Sequence, residues 1–498
     1  MGSNTGVRSR RVITVLAAAA WLVLGLVWSL ASPPGSSPDD DFHLGSIWCA
    51  WGQEATGCVK GEVGETRVDV QVPALRQAFS NCVALKPEAS AACQFASEGP
   101  APTTANTGLY PPGYYSFLRL FATDDLAGSI VAMRMAVWVV CSALWAGLMV
   151  LMPVSSRFRV VLAVLASMVP LGLFLSASTN PSGMAVTTIP VAVLAVAFAG
   201  DIRSRAGVAA AVLAAVAGLA AVVTRSDAPF LLALGLGAVL VVRIREWRSV
   251  GSWWPAPAAV AGSVLFGLVI AGTQTRNISG GLVAADGTST GTGPSIGSVL
   301  SSLPTYFVGE WATTLGYVDV PMPAVVWAPV AAVMAAVAVM GLMSWRVEKG
   351  LAVLLVVAGQ TAGLVYLQIG SACCTVQARY FLPLTVIWMA LLALVPIGTA
   401  AWRLNAPQAW VLGAALIGSQ SIALHQVLVR YTVGLGAPGE HLWLRDAQWW
   451  WDIPASPLLV WVTGSVTFAI TVSWVLWRVV RSPVQPETAP RVVASQAQ

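Results

Sequence analysis

The chain is predicted to be an all-α polytopic membrane protein, and three observations predict it. Hydrophobic residues make up 57% of the sequence, with a mean hydropathy of +0.74. They are gathered in runs of about 17–25, the length a helix needs to cross a bilayer. The runs do not alternate in polarity. Inside hydrocarbon every backbone N–H and C=O must pair within its own segment, so such runs fold as helices, and a barrel would need short alternating strands. Only 10% of residues are charged, and the formal net charge of +5 says little about partners, because its distribution matters more than its sum; no nucleic-acid partner is expected.

Taken in order, the apolar runs predict about twelve transmembrane helices. Their centres fall near Leu22, Trp138, Leu165, Val191, Ala214, Gly235, Leu265, Val333, Leu355, Met389, Ala415 and Thr467. The first run ends in Ser29-Leu30-Ala31, which resembles a signal cleavage site. It is longer than a signal core, so it is expected to stay as an anchor. Arg8, Arg10 and Arg11 precede it, and Arg157, Arg159, Arg203, Arg205, Arg243, Arg245, Arg248, Arg346, Lys349, Arg403, Arg478 and Arg481 fall in alternate loops and the tail. Basic loops stay inside. Both termini are therefore expected in the cytoplasm, with the long loops facing outward.

The expected layout follows. Residues 1–31 are the N-terminus and first helix, and 32–127 a large structured outward loop with short helices and disulfides. Residues 128–275 hold helices 2–7, 276–322 a second outward loop, and 323–481 helices 8–12 with an outward loop at 431–457. Residues 482–498 read as a disordered tail. The Gly/Ser/Thr-rich stretch from Ser279 to Ser302 reads as mobile. Trp449-Trp450-Trp451 reads as an interfacial belt. Cys49, Cys58, Cys82 and Cys93 share the first outward loop, where an oxidising compartment favours disulfides. Pairing Cys49 with Cys58 and Cys82 with Cys93 closes the shorter loops.

Chemistry is expected on the outward side, where the long loops lie. Ser37-Pro38-Asp39-Asp40-Asp41-Phe42-His43 follows the first span and puts three carboxylates and a histidine beside the bilayer. Ser37 and Asp40 fit a capping box with Pro38 in the first turn. In a helix, Asp39 and His43 lie one turn apart and together suit general acid–base work on a hydroxyl. The same carboxylates and imidazole are also a donor set for a divalent metal. Arg225 and Arg379 break the inside rule for basic residues. Arg225 either pairs with Asp227 or, like Arg379, meets a phosphate. Arg134 either snorkels or pairs with a loop acid. Asp41, Tyr110, Asn180, Tyr380, Glu310 and Asp319 complete the candidate polar contacts.

These motifs stand in order along nearly the whole chain: Pro38-Asp39-Asp40-Asp41-Phe42-His43, Tyr110-Pro111-Pro112-Gly113-Tyr114-Tyr115, Asn180-Pro181-Ser182-Gly183, Thr224-Arg225-Ser226-Asp227, Gly316-Tyr317-Val318-Asp319-Val320-Pro321 and Gln377-Ala378-Arg379-Tyr380-Phe381-Leu382-Pro383. The set resembles an uncharacterised actinobacterial polytopic membrane-protein family, itself similar in layout to the GT-C glycosyltransferases. The resemblance implies a GT-C-like bundle in which an acid just after the first helix serves sugar transfer. It implies a polyprenyl-phosphate sugar donor in the membrane lipid and an extracytoplasmic cell-envelope glycan or protein acceptor. Asp39 or Asp40 would be the base or acceptor-orienting acid. The family more often has Glu and Pro at the positions of Asp40 and Asp41. A transporter or flippase of a lipid-linked precursor, or a non-catalytic assembly scaffold, is the alternative.

Overall fold

The computed structural model describes the chain apart from residues 1, 53–57, 64–66, 73–74, 76–82, 84–85, 97–101, 272–295, 305–313, 371–376, 397–398, 437–440, 446 and 483–498. Helix α1 spans Gly2–Leu30, and the first loop follows with α2 at Asp40–Trp48, strands β1 at Val59–Val63, β2 at Arg67–Gln71 and β3 at Pro102–Asn106, and α3 at Gly113–Arg119. The bundle continues with α4 at Leu126–Leu151, α5 at Val154–Met168, α6 at Leu171–Ser176, α7 at Pro181–Ala197, α8 at Arg205–Val222 and α9 at Ala228–Val242. Then come α10 at Val250–Trp253, α11 at Pro255–Ala271, α12 at Ile296–Pro304, and a two-stranded hairpin of β4 at Thr314–Leu315 with β5 at Val320–Pro321. The last helices are α13 at Ala324–Leu342, α14 at Val347–Gly370, α15 at Leu382–Ala393, α16 at Ala406–Thr432 and α17 at Pro457–Val480.

All twelve expected centres fall in apolar helices, but the expectation of about twelve spans is wrong. Among the described residues seven helices are long and apolar enough to cross a membrane: α1 from Val12, α4, α8, α13, α14 up to Gln368, α16 and α17. The count reaches eight if α9 and the bent segment after it form one span. The remaining runs belong to the shorter helices α5, α7, α11 and α15. Burial explains the difference for α7 and α15, whose residues are buried almost throughout. A helix with neighbours on every side is apolar all round without facing lipid. Helix α7 lies against α4, α8, α9 and α15, and α15 lies against α5, α7, α13 and α14.

Caps set several boundaries. Asn180 accepts from Ser182 N–H at the start of α7, with Pro181 in the first turn. Asn405 and Gln408 form a reciprocal capping box on α16. Helices α1 and α17 pack together, and Trp451, just before α17, donates its indole N–H to Leu30 O at the end of α1 (2.8 Å). The two helices are therefore antiparallel, and their outer termini lie at one end of the bundle. Trp450 and Trp451 are buried rather than spread along an open interface.

The first loop has structure of its own, but strands as well as short helices. Val68 and Val70 point into the core and Asp69 outward, the alternation of a half-buried strand. β2 pairs antiparallel with both β1 and β3. Helix α2 lies on β3 at Gly45, where a Cβ would sit 2.3 Å from Thr104 O, so only glycine fits. Cys49 and Cys58 form the expected disulfide. Cys93 is also disulfide-bonded, while Cys82 lies outside the described residues. Of the stretch expected to be mobile, 279–295 lies outside them too, and Ile296–Pro304 is helical.

Candidate functional site

The site forms where the first loop meets the helix ends that carry Asn180, Arg225 and Arg379. Prolines 33, 34 and 38 keep the chain from continuing α1, and α2 starts at Asp40, two residues later than a Ser37 cap would set. Only half of the expected capping box forms. The Asp40 carboxylate accepts from Ser37 N–H (2.9 Å), while Ser37 Oγ has no partner. Asp39 caps the helix in the left-handed region, at φ 58° and ψ 22°, without a side-chain cap bond. That conformation costs a non-glycine residue about 1 kcal/mol or more and persists only where surroundings impose it. Here they do: Asn180 Nδ2 donates to Pro38 O (2.6 Å), and Thr179 Oγ1 donates to Asp40 Oδ1 (2.6 Å).

The three consecutive acids diverge. Asp39 forms an ion pair with Arg379 and keeps its side chain 46% exposed. Asp40 is fully buried, and burial pushes its carboxyl up to about 6 against the pull of Arg134, Thr179 and Ser37. Asp41 accepts from the Tyr317 hydroxyl (2.8 Å), which is carried by the β4–β5 hairpin. This divergence separates carboxylates that a shared metal would need together. Among the described residues no group of three or more His, Cys, Asp or Glu is arranged to hold a metal ion.

His43 lies one turn beyond Asp39, with its N–H donating to Asp39 O (2.9 Å). Its Nδ1 meets the Tyr115 hydroxyl at 3.0 Å, and its ring packs against Phe42, Tyr110 and Tyr115. Burial pushes the imidazole down to about 3, partly opposed by Asp39, so it is neutral at physiological pH. Its buried Nε2 has no partner.

Tyr110 is placed by a turn. Asn106 Oδ1 accepts from the N–H groups of Gly108, Leu109 and Tyr110, and its amide donates back to Tyr110 O. The turn is tied to the end of α8: Ser226 Oγ donates to Leu109 O (3.0 Å) and Tyr114 N–H to Val223 O (3.2 Å). Burial raises the Tyr110 phenol above its ordinary value.

Arg225 pairs with Asp227 through two bonds (2.8 and 2.6 Å) and donates a third to Ser182 Oγ (2.7 Å). Of the two readings of this arginine, the structure contains the pairing. Arg379 differs. Its side chain is 3% exposed, one terminal nitrogen meets Asp39, and Nε and Nη1 have no partner. The Tyr380 ring lies beside both guanidiniums, 5.2 Å from Arg225 and 5.3 Å from Arg379.

Two further arginines serve the scaffold. Arg134 neither snorkels nor pairs with an acid at hydrogen-bond distance. It donates to Ser29 O, Ser32 O and Pro33 O, satisfying carbonyls around the end of α1. Arg430 was missed by sequence reasoning. Fully buried, it pairs with Asp319 (2.6 Å) and donates to Val83 O and Ala89 O, holding the hairpin against the first loop. Tyr431 beside it donates to Ser36 O and Asp319. The available signal was Arg430-Tyr431 at the outward end of a long apolar run. Glu310 lies outside the described residues.

One cluster thus offers a half-exposed carboxylate, a buried guanidinium with two open nitrogens and a neutral imidazole with one. That set can accept a proton, hold an anion and orient a hydroxyl. No curated protein and no solved structure matches the chain. Residues 22–388, about three quarters of the sequence, match the family described as "Predicted membrane protein (DUF2142)", a stretch that includes every residue of the cluster from Asp39 to Tyr380. The chain belongs to this family of membrane proteins.

Proposed function

We propose that the protein is a GT-C-type transferase of the bacterial plasma membrane, moving a sugar from a polyprenyl-phosphate-linked donor to an extracytoplasmic cell-envelope acceptor. Asp39 is the general base and Arg379 the ligand of the donor phosphate. The carrying observation is the pair itself: a reachable carboxylate held on a buried arginine whose other nitrogens are open. A phosphate entering on Arg379 competes for the guanidinium and frees Asp39. The acceptor hydroxyl then gives its proton to Asp39 as its oxygen bonds to the sugar carbon. The bond from that carbon to the phosphate oxygen breaks, and the lipid phosphate leaves with the electron pair, facing Arg379. His43, neutral, orients a substrate hydroxyl. Asp40 holds the turn and takes no proton from substrate. The end of α17 carries Arg478 and Arg481 and lies at the same end of the bundle as the start of α1, which supports placing that end on the cytoplasmic side.

The test uses protein reconstituted in lipid with radiolabelled polyprenyl-phosphate-linked hexoses. Asp39→Asn is expected to lower transfer by about 10²–10⁴-fold with folding intact. Arg379→Ala is expected to weaken donor binding, and Asp40→Asn to keep transfer within a few fold. Full transfer by Asp39→Asn would refute the assignment of the base, and no transfer by the unaltered protein would favour the transporter or scaffold reading.

A further inference from the structure

At the opposite end of α9 from Arg225, the chain turns sharply. The segment Ile244–Trp253 leaves the axis of α9 at 86°. It therefore extends across the end of the bundle and adds little depth to α9. Three features fix it there. Arg243 donates to Val196 O and Ala199 O at the end of α7, pairs with Glu246, and stacks on Trp253 at 3.9 Å. Ile202 N–H donates to Ser252 O (2.7 Å). Arg245 pairs with Glu348 at the start of α14.

The outer face of this arm is unusual for a polar end of the bundle. Ile244, Trp247 and Trp254 are more than half exposed. Arg248 is exposed beside them, and Arg203 and Arg205 are exposed on the adjoining turn. Glu246 and Glu348 are already engaged by Arg243 and Arg245. Five arginines here face three carboxylates, Asp201 being the third. Exposed indoles with surplus arginines on a segment perpendicular to a candidate span match the headgroup layer, where tryptophan finds both apolar and polar surroundings.

We infer that Ile244–Trp254, with Arg203 and Arg205, forms a platform that lies in the membrane surface and binds the phosphate headgroups of anionic phospholipids. Tryptophans set its depth, and the arginines without acidic partners supply the charge preference. Each arginine at an anionic membrane surface contributes about a fivefold preference.

The test is electron spin resonance on the full chain in nanodiscs, with spin-labelled phosphatidylglycerol and phosphatidylcholine as probes. Phosphatidylglycerol is expected to be held at least about fivefold more strongly, and less so at high salt. The triple variant Arg203→Gln, Arg205→Gln, Arg248→Gln is expected to lose that preference. A nitroxide attached after Trp247→Cys is expected at headgroup depth, sheltered from a water-soluble nickel chelate. Equal retention of both lipids by the unaltered protein, a preference that ignores salt, or a label fully open to the chelate each overturn the inference. The salt and depth measurements decide it if the triple variant fails to fold.

Discussion

Replacing Asp40 with asparagine is expected to change how stability depends on pH, with a magnitude that follows from its burial. The carboxyl titrates near 3.8 in the unfolded chain and is pushed up to about 6 in the folded protein. Burial is the main cause. Asp41 adds to it, and Arg134, Thr179 and Ser37 oppose it. Between those two values the folded state holds a proton that the unfolded state has released. Stability from this group is therefore highest at low pH, falls as pH rises toward 6, and is level above. The fall is about 3 kcal/mol. His43 acts in the opposite sense. Its imidazole is pushed down to about 3, so folding gains as pH rises from there toward 6.5. A single pH–stability curve mixes the two, and subtracting the curve of Asp40→Asn isolates Asp40. The assay is reversible unfolding in mixed micelles, followed by tryptophan fluorescence from pH 4 to 8. The stability of the unaltered protein relative to Asp40→Asn should fall by about 2–2.5 kcal/mol between pH 4 and 7, most of the full change. A flat or rising difference would refute the claim that this carboxyl is buried with inadequate compensation.

Arg430→Leu is expected to cost about 3–5 kcal/mol, because it strands the buried carboxylate of Asp319. The double variant with Asp319→Leu should cost clearly less than the two single losses together, and additivity in the same unfolding assay would remove the coupling. Gly183→Ala puts a Cβ 1.9 Å from Leu175 O, which the turn can relieve only by moving Asn180 and Ser182. A loss of about 1–3 kcal/mol is expected, with weaker transfer, and normal stability would show that the turn has room. Removing the disulfide with Cys49→Ser and Cys58→Ser frees a short loop and should cost the first loop about 2–3 kcal/mol. Limited proteolysis should then cut within 49–72 sooner, while bundle unfolding stays unchanged.

Much of the candidate site was legible because polar residues are scarce in an apolar chain, so each one beside the bilayer needs a reason. That logic brought Asp39, His43, Tyr110, Asn180, Arg225, Arg379 and Tyr380 into one list, and they meet in space. What could not be read was direction. Asp39, Asp40 and Asp41 are adjacent and chemically alike, yet one turns to an arginine, one inward and one to a tyrosine. The left-handed backbone at Asp39 produces this fan, and it is imposed by Asn180 and Thr179, about 140 residues away in sequence. No local pattern encodes it. Arg430 was passed over for a related reason. Its acid, Asp319, lies in another loop, and neither residue alone signals the pair.

The span count fails at a point that bears on the site. Hydropathy records how apolar a stretch is and not whether lipid or protein surrounds it. Helices α7 and α15 are apolar because the bundle encloses them. Being enclosed, they are the most rigid supports available, since they are packed on every side. Their first turns carry or adjoin the site: Asn180 caps α7, Ser182 lies in its first turn, and Arg379-Tyr380 lead into α15. A catalytic group must stay within a fraction of an ångström of its working position. Two of the helices miscounted as spans are thus the ones that hold Arg379 opposite Asp39. A substitution deep in them, such as Ala192 or Ala390 to a larger residue, should disturb that pair more than an equal change on the lipid-facing side of α8.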